Sequence, residues 1–515
     1  MNVKLILKGL IVSITLLMLL NQNSYGEIIN NNQSTRNTFY VTDFGAIADG
    51  KTLNTKAIQS AIDACAKVGG GKVVLTSGKY LSGSITIKSN VELHLEQNAT
   101  LLGSTRHEDY PLQPLPKYRS HKDQLGGFYA LIYAEGVENI AITGRGTIDG
   151  QGKYQMPRPN PVAGDINGRP RNILLISSKD ILIDGIHLRN SGVWNQHYLD
   201  CEDVMINNIS VYNHSNRNND GIDIDGCRRV VLSNSIIDSD DDGITLKSTG
   251  AAACEDIVIT NCVVSSFCNA IKAGTESSGG FKNISISNCV VKPSKSKEEP
   301  FFKTPKIGIT GLSLIIVDGG TMEGITVNNL SIHGTMAPIY IRLGNRARRY
   351  TAGISEPKVG KVQNISISNV VAYGAGSWGS SITGLPGYPV KNILLNNIQL
   401  FTKGGVKEGD FNKDVTEDEK GYPQPSVWEN LPAYGLYLRH IKGISINGLM
   451  LGVKNSDFRF PIVAEDISNL QIKGCQLIGN TNSHPFVLGK SLKAFDIAKP
   501  LGWKGNEDNI IEIDE

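Results

Sequence analysis

The sequence predicts an all-β protein, a right-handed parallel β-helix with an N-terminal capping helix. Three observations carry this. A short strand motif returns along the chain, an Asn or Gly closes each copy, and the copies are spaced at coil length.

In chain order, the first segment is "MNVKLILKGLIVSITLLMLLNQNSYGEII", with two early lysines, an apolar run from Ile11 to Leu20, and the small residues Ser24 and Gly26. It reads as a signal peptide cut near Gly26, residues 1–26, which makes the protein secreted or periplasmic. A membrane anchor fits less well, because Leu5 to Leu20 is short for a bilayer span and is interrupted by Lys8 and Gly9. Residues 27–515 read as a single domain.

Next comes "NTKAIQSAIDACAKVGGGKVVL", where Ala57, Ile58, Ala61, Ile62 and Cys65 share one helical face before the stop at Gly69, Gly70 and Gly71. Asn54 or Thr55 can cap it. Such a helix covers the exposed strand edge that a solenoid leaves at its end.

The coils follow. Eleven copies of one pattern run from "VENIAITG" through "SKDILIDG", "CRRVVLSN", "FKNISISN" and "VKNILLNN" to "ISNLQIKG". Each alternates apolar residues at strand spacing and then turns. The turn residue is Asn208, Asn234, Asn261, Asn288, Asn329, Asn369 or Asn397, with Gly144, Gly185, Gly448 and Gly474 toward the ends; Asn and Gly tolerate left-handed dihedrals. Middle intervals are 23, 26, 27 and 27 residues, and longer ones of 40 to 51 leave room for loops such as Lys403 to Tyr434. Stacked Asn side chains predict an amide ladder. An antiparallel sandwich gives no reason for the same turn residue to recur at coil length.

Composition narrows the function classes. With 40% hydrophobic and 19% charged residues and a net charge of +2, the chain is an ordinary globular protein without the basic, aromatic-interleaved stripe that nucleic acid requires. A monomer is expected. The eight cysteines form no CxxC pair, and Cys201, Cys227 and Cys254 recur at 26 and 27 residues, as repeat positions do. They read as buried, stacked thiols.

The chemistry concentrates in "NNDGIDIDGCRRVVLSNSIIDSDDDGITLKS", residues 218–248. Aligning "NNDGIDID", "DDDGITLK" and "FCNAIKAG" puts Asp220, Asp242 and Asn269 in one column, with Asp241 beside it and Ile222, Ile224, Ile244 and Leu246 inward. The same column on adjacent coils recurs every ~4.8 Å, so these carboxylates are neighbours and one pKa is driven up. A proton-holding acid beside an ionised carboxylate is what glycosidic hydrolysis needs. Clustered carboxylates also bind Ca²⁺. Asp223, Asp225 and Asp238 read as solvated edge or turn residues.

Here the chain resembles a known family. "NND" before "GID" and "DD" before "GITLKS" are similar to the paired Asp motifs of glycoside hydrolase family 28, the polygalacturonases and rhamnogalacturonan hydrolases, within the pectate lyase-like superfamily. "TDFGAIADGKTLNTKAIQSAIDAC" resembles its N-terminal segment. The resemblance implies a glycosidase that acts on an acidic, pectic polysaccharide; no cofactor or metal is expected. It implies Asp241 as general acid, Asp220 and Asp242 as activators of the attacking water, and inversion at the anomeric carbon. Spacing pulls the other way, since neighbouring-coil carboxylates fall nearer the retaining separation.

Two of the family's motifs are broken. Asn269 stands where its G-H-G places His, and Ser313 and Ile315 stand where its R-I-K places the cations that hold a galacturonate carboxylate. A rhamnogalacturonan-like polymer is therefore expected over plain homogalacturonan. Lys247, Lys272 and Arg342 are expected to supply substitute charge, with Arg346, Arg348 and Arg349 nearby; the alternative readings are that Lys247 and Lys272 are structural partners of the stacked aspartates and that Arg346 to Arg349 form a solvated loop. His214 joins Asn269 among the substrate-binding candidates, and Trp194, His197, Tyr212, Trp428 and Tyr434 are candidates for sugar contacts. The alternatives are a polysaccharide lyase and a non-catalytic carbohydrate-binding β-helix on the same scaffold.

Overall fold

A computed structural model describes residues 37–121, 128–157, 168–479, 485–505 and 510–514. The predicted signal peptide lies outside the described residues. From Thr38 onward the paired strands are parallel, each stacked on the strand one coil away, and they form the faces of a parallel β-helix.

One face positions the candidate site. Its strands are β1 (Gln196–Leu199), β2 (Ile222–Asp225), β3 (Ile244–Ser248), β4 (Asn269–Ser277), β5 (Thr310–Ile316) and β6 (Ala337–Leu343). The register is continuous: Tyr198 pairs with Ile224, Ile224 with Leu246, Leu246 with Ala273, Ala273 with Leu314 and Leu314 with Ile341. This row points inward and is buried throughout. Truncating one rung, for example Leu314→Ala, costs about 2–5 kcal/mol because the stacked neighbours cannot close the gap. Period-2 alternation sends the intervening residues outward, so Asp223, Thr245, Lys272, Ser313 and Tyr340 form a second row on the outer side of the same face.

The turns behave as their sequence requires. Asn208, Asn234, Asn261, Asn288, Asn329, Asn369 and Asn397 all have φ between 53 and 55°. Their side chains form a ladder in places: Asn261 Nδ2 donates to Asn234 Oδ1 at 3.2 Å, Asn329 to Asn288 at 3.1 Å, and Asn397 to Asn369 at 2.7 Å. A second, unforeseen ladder occupies the preceding turn, where Asn139 donates to Asn90 and Asn392 to Asn364, both at 2.9 Å. All eight cysteines are free thiols and buried.

The capping helix α1 spans Thr55–Lys67 and buries Ile58, Ala61, Ile62 and Cys65. Neither predicted residue caps its N-terminus through a side chain. The Asn54 amide instead accepts from Ile47 N and donates to Thr52 O, tying down the preceding loop, and Thr55 Oγ1 accepts from Gly83 N. Among the described residues no helix is long and apolar enough to cross a membrane.

Candidate active site

Asp220 precedes β2, Asp241 and Asp242 precede β3, and Asn269 opens β4, so three successive coils deliver one column. Main-chain bonds fix it: Gly221 N donates to Asp242 O at 2.9 Å and Gly243 N to Asn269 O at 2.8 Å. Carboxylate oxygens of Asp220, Asp241 and Asp242 then lie within 4.8 Å of one another. Asp220 and Asp242 are buried and Asp241 is half-buried.

Their surroundings separate their proton affinities. Asp242 is held below the usual carboxylate range: burial works to raise it, but Lys272 and Lys247 outweigh that, and Lys272 Nζ and Asn269 Nδ2 bond its two oxygens at 2.8 and 2.6 Å. Asp241 goes the other way, pushed up to about 6 by burial and by the Asp242 charge. Asp220 is also raised, by burial and the charges of Asp223 and Asp241, and its buried Oδ1 has no hydrogen-bond partner among the described residues. The cluster therefore places an ionised carboxylate next to a carboxyl poised to hold a proton near neutrality.

The substrate-binding candidates are distributed differently from expectation. Asn269 is buried, and while its Nδ2 serves Asp242 its Oδ1 accepts from Thr310 Oγ1 at 2.8 Å, so it orients Asp242. Lys247 is buried under the cluster, 3.3 Å from Asp223, 3.5 Å from Asp220 and 3.7 Å from Glu276, with its ammonium 4.5 Å from the Trp194 ring centroid. Lys272 is equally buried on Asp242. Both cations serve the aspartates from within.

Arg342 corrects the expectation of a groove cation. It is buried in β6, its guanidinium donates to the carbonyls of Glu417 and Asp418 at 2.7 Å and packs 4.4 Å from the Trp428 ring centroid, and it thereby clamps segment 405–432. Ser313 pairs with Lys272 on the coil before it, and Ile315 pairs with Arg342 on the coil after it. The charge has moved by one rung but is engaged by the protein. Arg346 and Arg348 are not a solvated loop either. They pair with Asp318 and Glu276, while Arg349 is exposed.

Asp223 and Asp225 are fully buried, which overturns their reading as solvated residues. Asp225 accepts from His197 Nε2 at 3.0 Å and from Thr249 N at 2.8 Å, and Asp223 faces Lys247 with its carboxyl pushed up to about 7 by burial. The strand faces outward at these positions, but the face is roofed by loops, a feature no local pattern announces. Asp238 is half-buried and bonds His214 Nε2 at 2.8 Å. Of the aromatic candidates, Trp194, His197, Trp428 and Tyr434 are buried, and Tyr212 alone is exposed.

The open space beside Asp241 is a cleft of about 540 Å³. Segment 292–309 contributes Phe302, Lys303 and Ile309, segment 405–432 contributes Tyr422, Gln424 and Glu429, and Trp378 completes the wall. The sequence reading missed these residues. Tyr422 had a signal, an aromatic ring in a long insertion, and its ring centroid stands 5.9 Å from Lys272 Nζ.

Comparisons with known proteins agree on this scaffold. Residues 65–413 match the family model described as glycosyl hydrolases family 28. A probable polygalacturonase of Vitis vinifera is 36% identical over 216 residues, 40% of this chain and 44% of that protein. An exo-poly-alpha-D-galacturonosidase of Dickeya chrysanthemi is 28% identical, over 40% of this chain and 41% of that one. The chain thus spans less than half the length of these curated relatives. Among solved structures, a hyperthermoactive exopolygalacturonase from Thermotoga maritima aligns with a TM-score of 0.58 at 25% identity, covering 71% of this chain and 87% of its own. A family 28 exopolygalacturonase of Yersinia enterocolitica gives 0.60 at 20% identity over 90% and 79%, a likeness of fold. The family match takes in the capping helix's end, the column of aspartates and segment 292–309 of the cleft wall, and stops before Tyr422, Gln424 and Glu429; on it the chain belongs to family 28 of the glycosyl hydrolases.

Proposed function

We propose that this protein hydrolyses glycosidic bonds in an acidic pectic polysaccharide, with Asp241 as the proton donor and Asp242, assisted by Asp220, activating water. The observation that carries the reading is the unequal surroundings of adjacent carboxyls: Lys272 lies 2.8 Å from Asp242 and holds its pKa down, while burial and the Asp242 charge push Asp241 up to about 6. A donor with a pKa near the working pH protonates a leaving oxygen effectively, while the ionised neighbour takes a proton from water.

The step follows from that division. Asp241 gives its proton to the glycosidic oxygen as the bond to the anomeric carbon breaks, and water adds to that carbon while its proton passes to Asp242. Lys272 stabilises the carboxylate before the transfer, and Asn269 fixes the plane in which it accepts. Family resemblance favours inversion, although the nearest oxygens, within 4.8 Å, fall short of the ~6.5–9.5 Å typical of inverting pairs. Proton NMR of the first anomer released decides between the two outcomes.

For the substrate, we read a rhamnogalacturonan-like polymer in preference to homogalacturonan. Ser313 bonds Thr310 and Ile315 sits in an apolar cluster, while Lys272 and Arg342 are occupied by protein groups. The cleft beside Asp241 is lined largely by neutral and aromatic side chains, which suits a neutral sugar at the scissile bond. Purified protein is expected to release reducing ends from rhamnogalacturonan and little from polygalacturonate. Rapid cleavage of polygalacturonate would overturn the preference, and an unsaturated product absorbing in the ultraviolet would overturn hydrolysis itself.

A further inference from the structure

A second hollow of about 510 Å³ lies away from the aspartates, toward the C-terminal coils. Its floor holds Phe401, which pairs with Gly452, which pairs with Ile478. Beside the hollow, Tyr373 precedes the lining residues Gly374 and Ala375 and pairs with His333 one coil back; a bulge between Ala372 and Ala375 separates the registers of the Tyr373 and Phe401 strands there. Five coils at ~4.8 Å per step make a track of about 19 Å.

The track presents flat apolar surface. The His333 and Tyr373 rings stack at 4.6 Å and 7°, and Tyr373 is 45% exposed. Farther along, a Cβ at Gly452 would sit 2.4 Å from Phe401 Cδ1, so the missing side chain lets the Phe401 ring lie down over the next coil. Gly376 leaves comparable room beside Met336. The glycines make a floor on which a ring can rest. At the rim stand the exposed ammonium groups of Lys403 and Lys454, and none of the lining residues is acidic.

We infer that this hollow is a second binding site for the acidic polysaccharide chain, separate from the site of cleavage. Aromatic faces take the C–H faces of sugar rings, and the two lysines select carboxylated polymers over neutral ones. The inference rests on the acidic-polymer reading given above for the cleft. Position gives it a purpose: Ile307 lines the track while Phe302, Thr304 and Ile309 of the same segment line the catalytic cleft, so one wall serves both. A polymer held on the track stays beside the aspartates between cuts.

The test uses the full chain carrying Asp241→Asn, so that polymer is not consumed, run through native gels containing polygalacturonate, rhamnogalacturonan or neutral galactan. Both acidic polymers are expected to retard it and galactan not. Adding Phe401→Ala is expected to weaken retardation about fivefold, the worth of one stacked ring. Adding Lys403→Ala with Lys454→Ala is expected to weaken it similarly and to flatten its salt dependence; these lysines are exposed, so folding is not at stake. In the Asp241 protein, neither change should alter turnover of a short oligosaccharide. Unchanged retardation in both sets, or equal retardation by galactan, overturns the inference while leaving the catalytic reading intact. Groove-dependent retardation by a protein that cuts no acidic polymer would support the track and count against the catalytic reading alone.

Discussion

Replacing Lys272 by Met removes a charge at nearly constant volume. Its ammonium lies 2.8 Å from Asp242 Oδ2 and both side chains are buried. At an effective dielectric constant near 20 the attraction is about 6 kcal/mol, offset by the cost of desolvating both ions. Breaking such a pair from one side typically costs about 3–5 kcal/mol, because the remaining charge is left uncompensated. Asp242 escapes part of that by taking up a proton, so its pKa should rise by about 1–3 units. The sign of the pH effect follows. In the wild type the depressed Asp242 contributes stability above its unfolded pKa of about 3.9 and loses it as pH falls through the folded value. With the folded pKa raised instead, the variant binds a proton on folding and loses stability as pH rises from about 4. The difference between the two curves of melting temperature against pH should widen from pH 4 to 7. In parallel, the acidic limb of kcat/KM should move upward, with kcat falling more than KM rises. A variant with wild-type melting curve and pH profile but a raised KM would refute the argument and return Lys272 to the role of a substrate-binding cation.

Three other perturbations probe separate parts of the structure. Asp241→Asn is expected to keep the fold and lower turnover by about 10² to 10⁴, the usual worth of a positioned proton donor; circular dichroism and reducing-end release measure both. Asn329→Leu puts a branched side chain at φ 54° and deletes the bond to Asn288, and should cost roughly 1–3 kcal/mol by thermal melting at unchanged turnover per folded molecule. His440 bonds Glu417 at 3.0 Å and Asp466 at 2.7 Å, with Arg439 also on Glu417; those bonds raise its pKa against the effect of burial. Its contribution is therefore complete below about pH 6.5 and lost as pH rises through the folded pKa. Protection from hydrogen exchange in segment 405–432, taken relative to the intrinsic rate at each pH, should fall from pH 6 to pH 9, and His440→Asn should remove that fall.

The architecture was legible because it is periodic: the same Asn at the same offset repeats often enough that the coil length, the inward row and the aspartate column can be counted off. The column of Asp220, Asp242 and Asn269 needed only the alignment of three strands. What could not be counted was what covers the outward row. Asp223 and Arg342 occupy outward positions and would face solvent on a bare coil, but Lys247 and segment 405–432 enclose them. Loop placement depends on contacts between residues far apart in sequence, such as Arg342 with Glu417 or Phe301 N with Asp240. The second ladder escaped notice for a different reason: its turns use Asp, Arg and Gly as well as Asn, which blurs the pattern.

The two walls of the cleft enter the coil at the same turn, where the interval between turn residues grows from 27 to 41 and from 28 to 51 residues. Because each strand is already bonded to the coils on either side, these segments contribute little to the register beneath them. The scaffold thus behaves as a chassis with interchangeable fittings. Grafting segment 292–309 or 405–432 from a relative with another polymer preference should retune which chain is admitted while the carboxylates underneath keep their places.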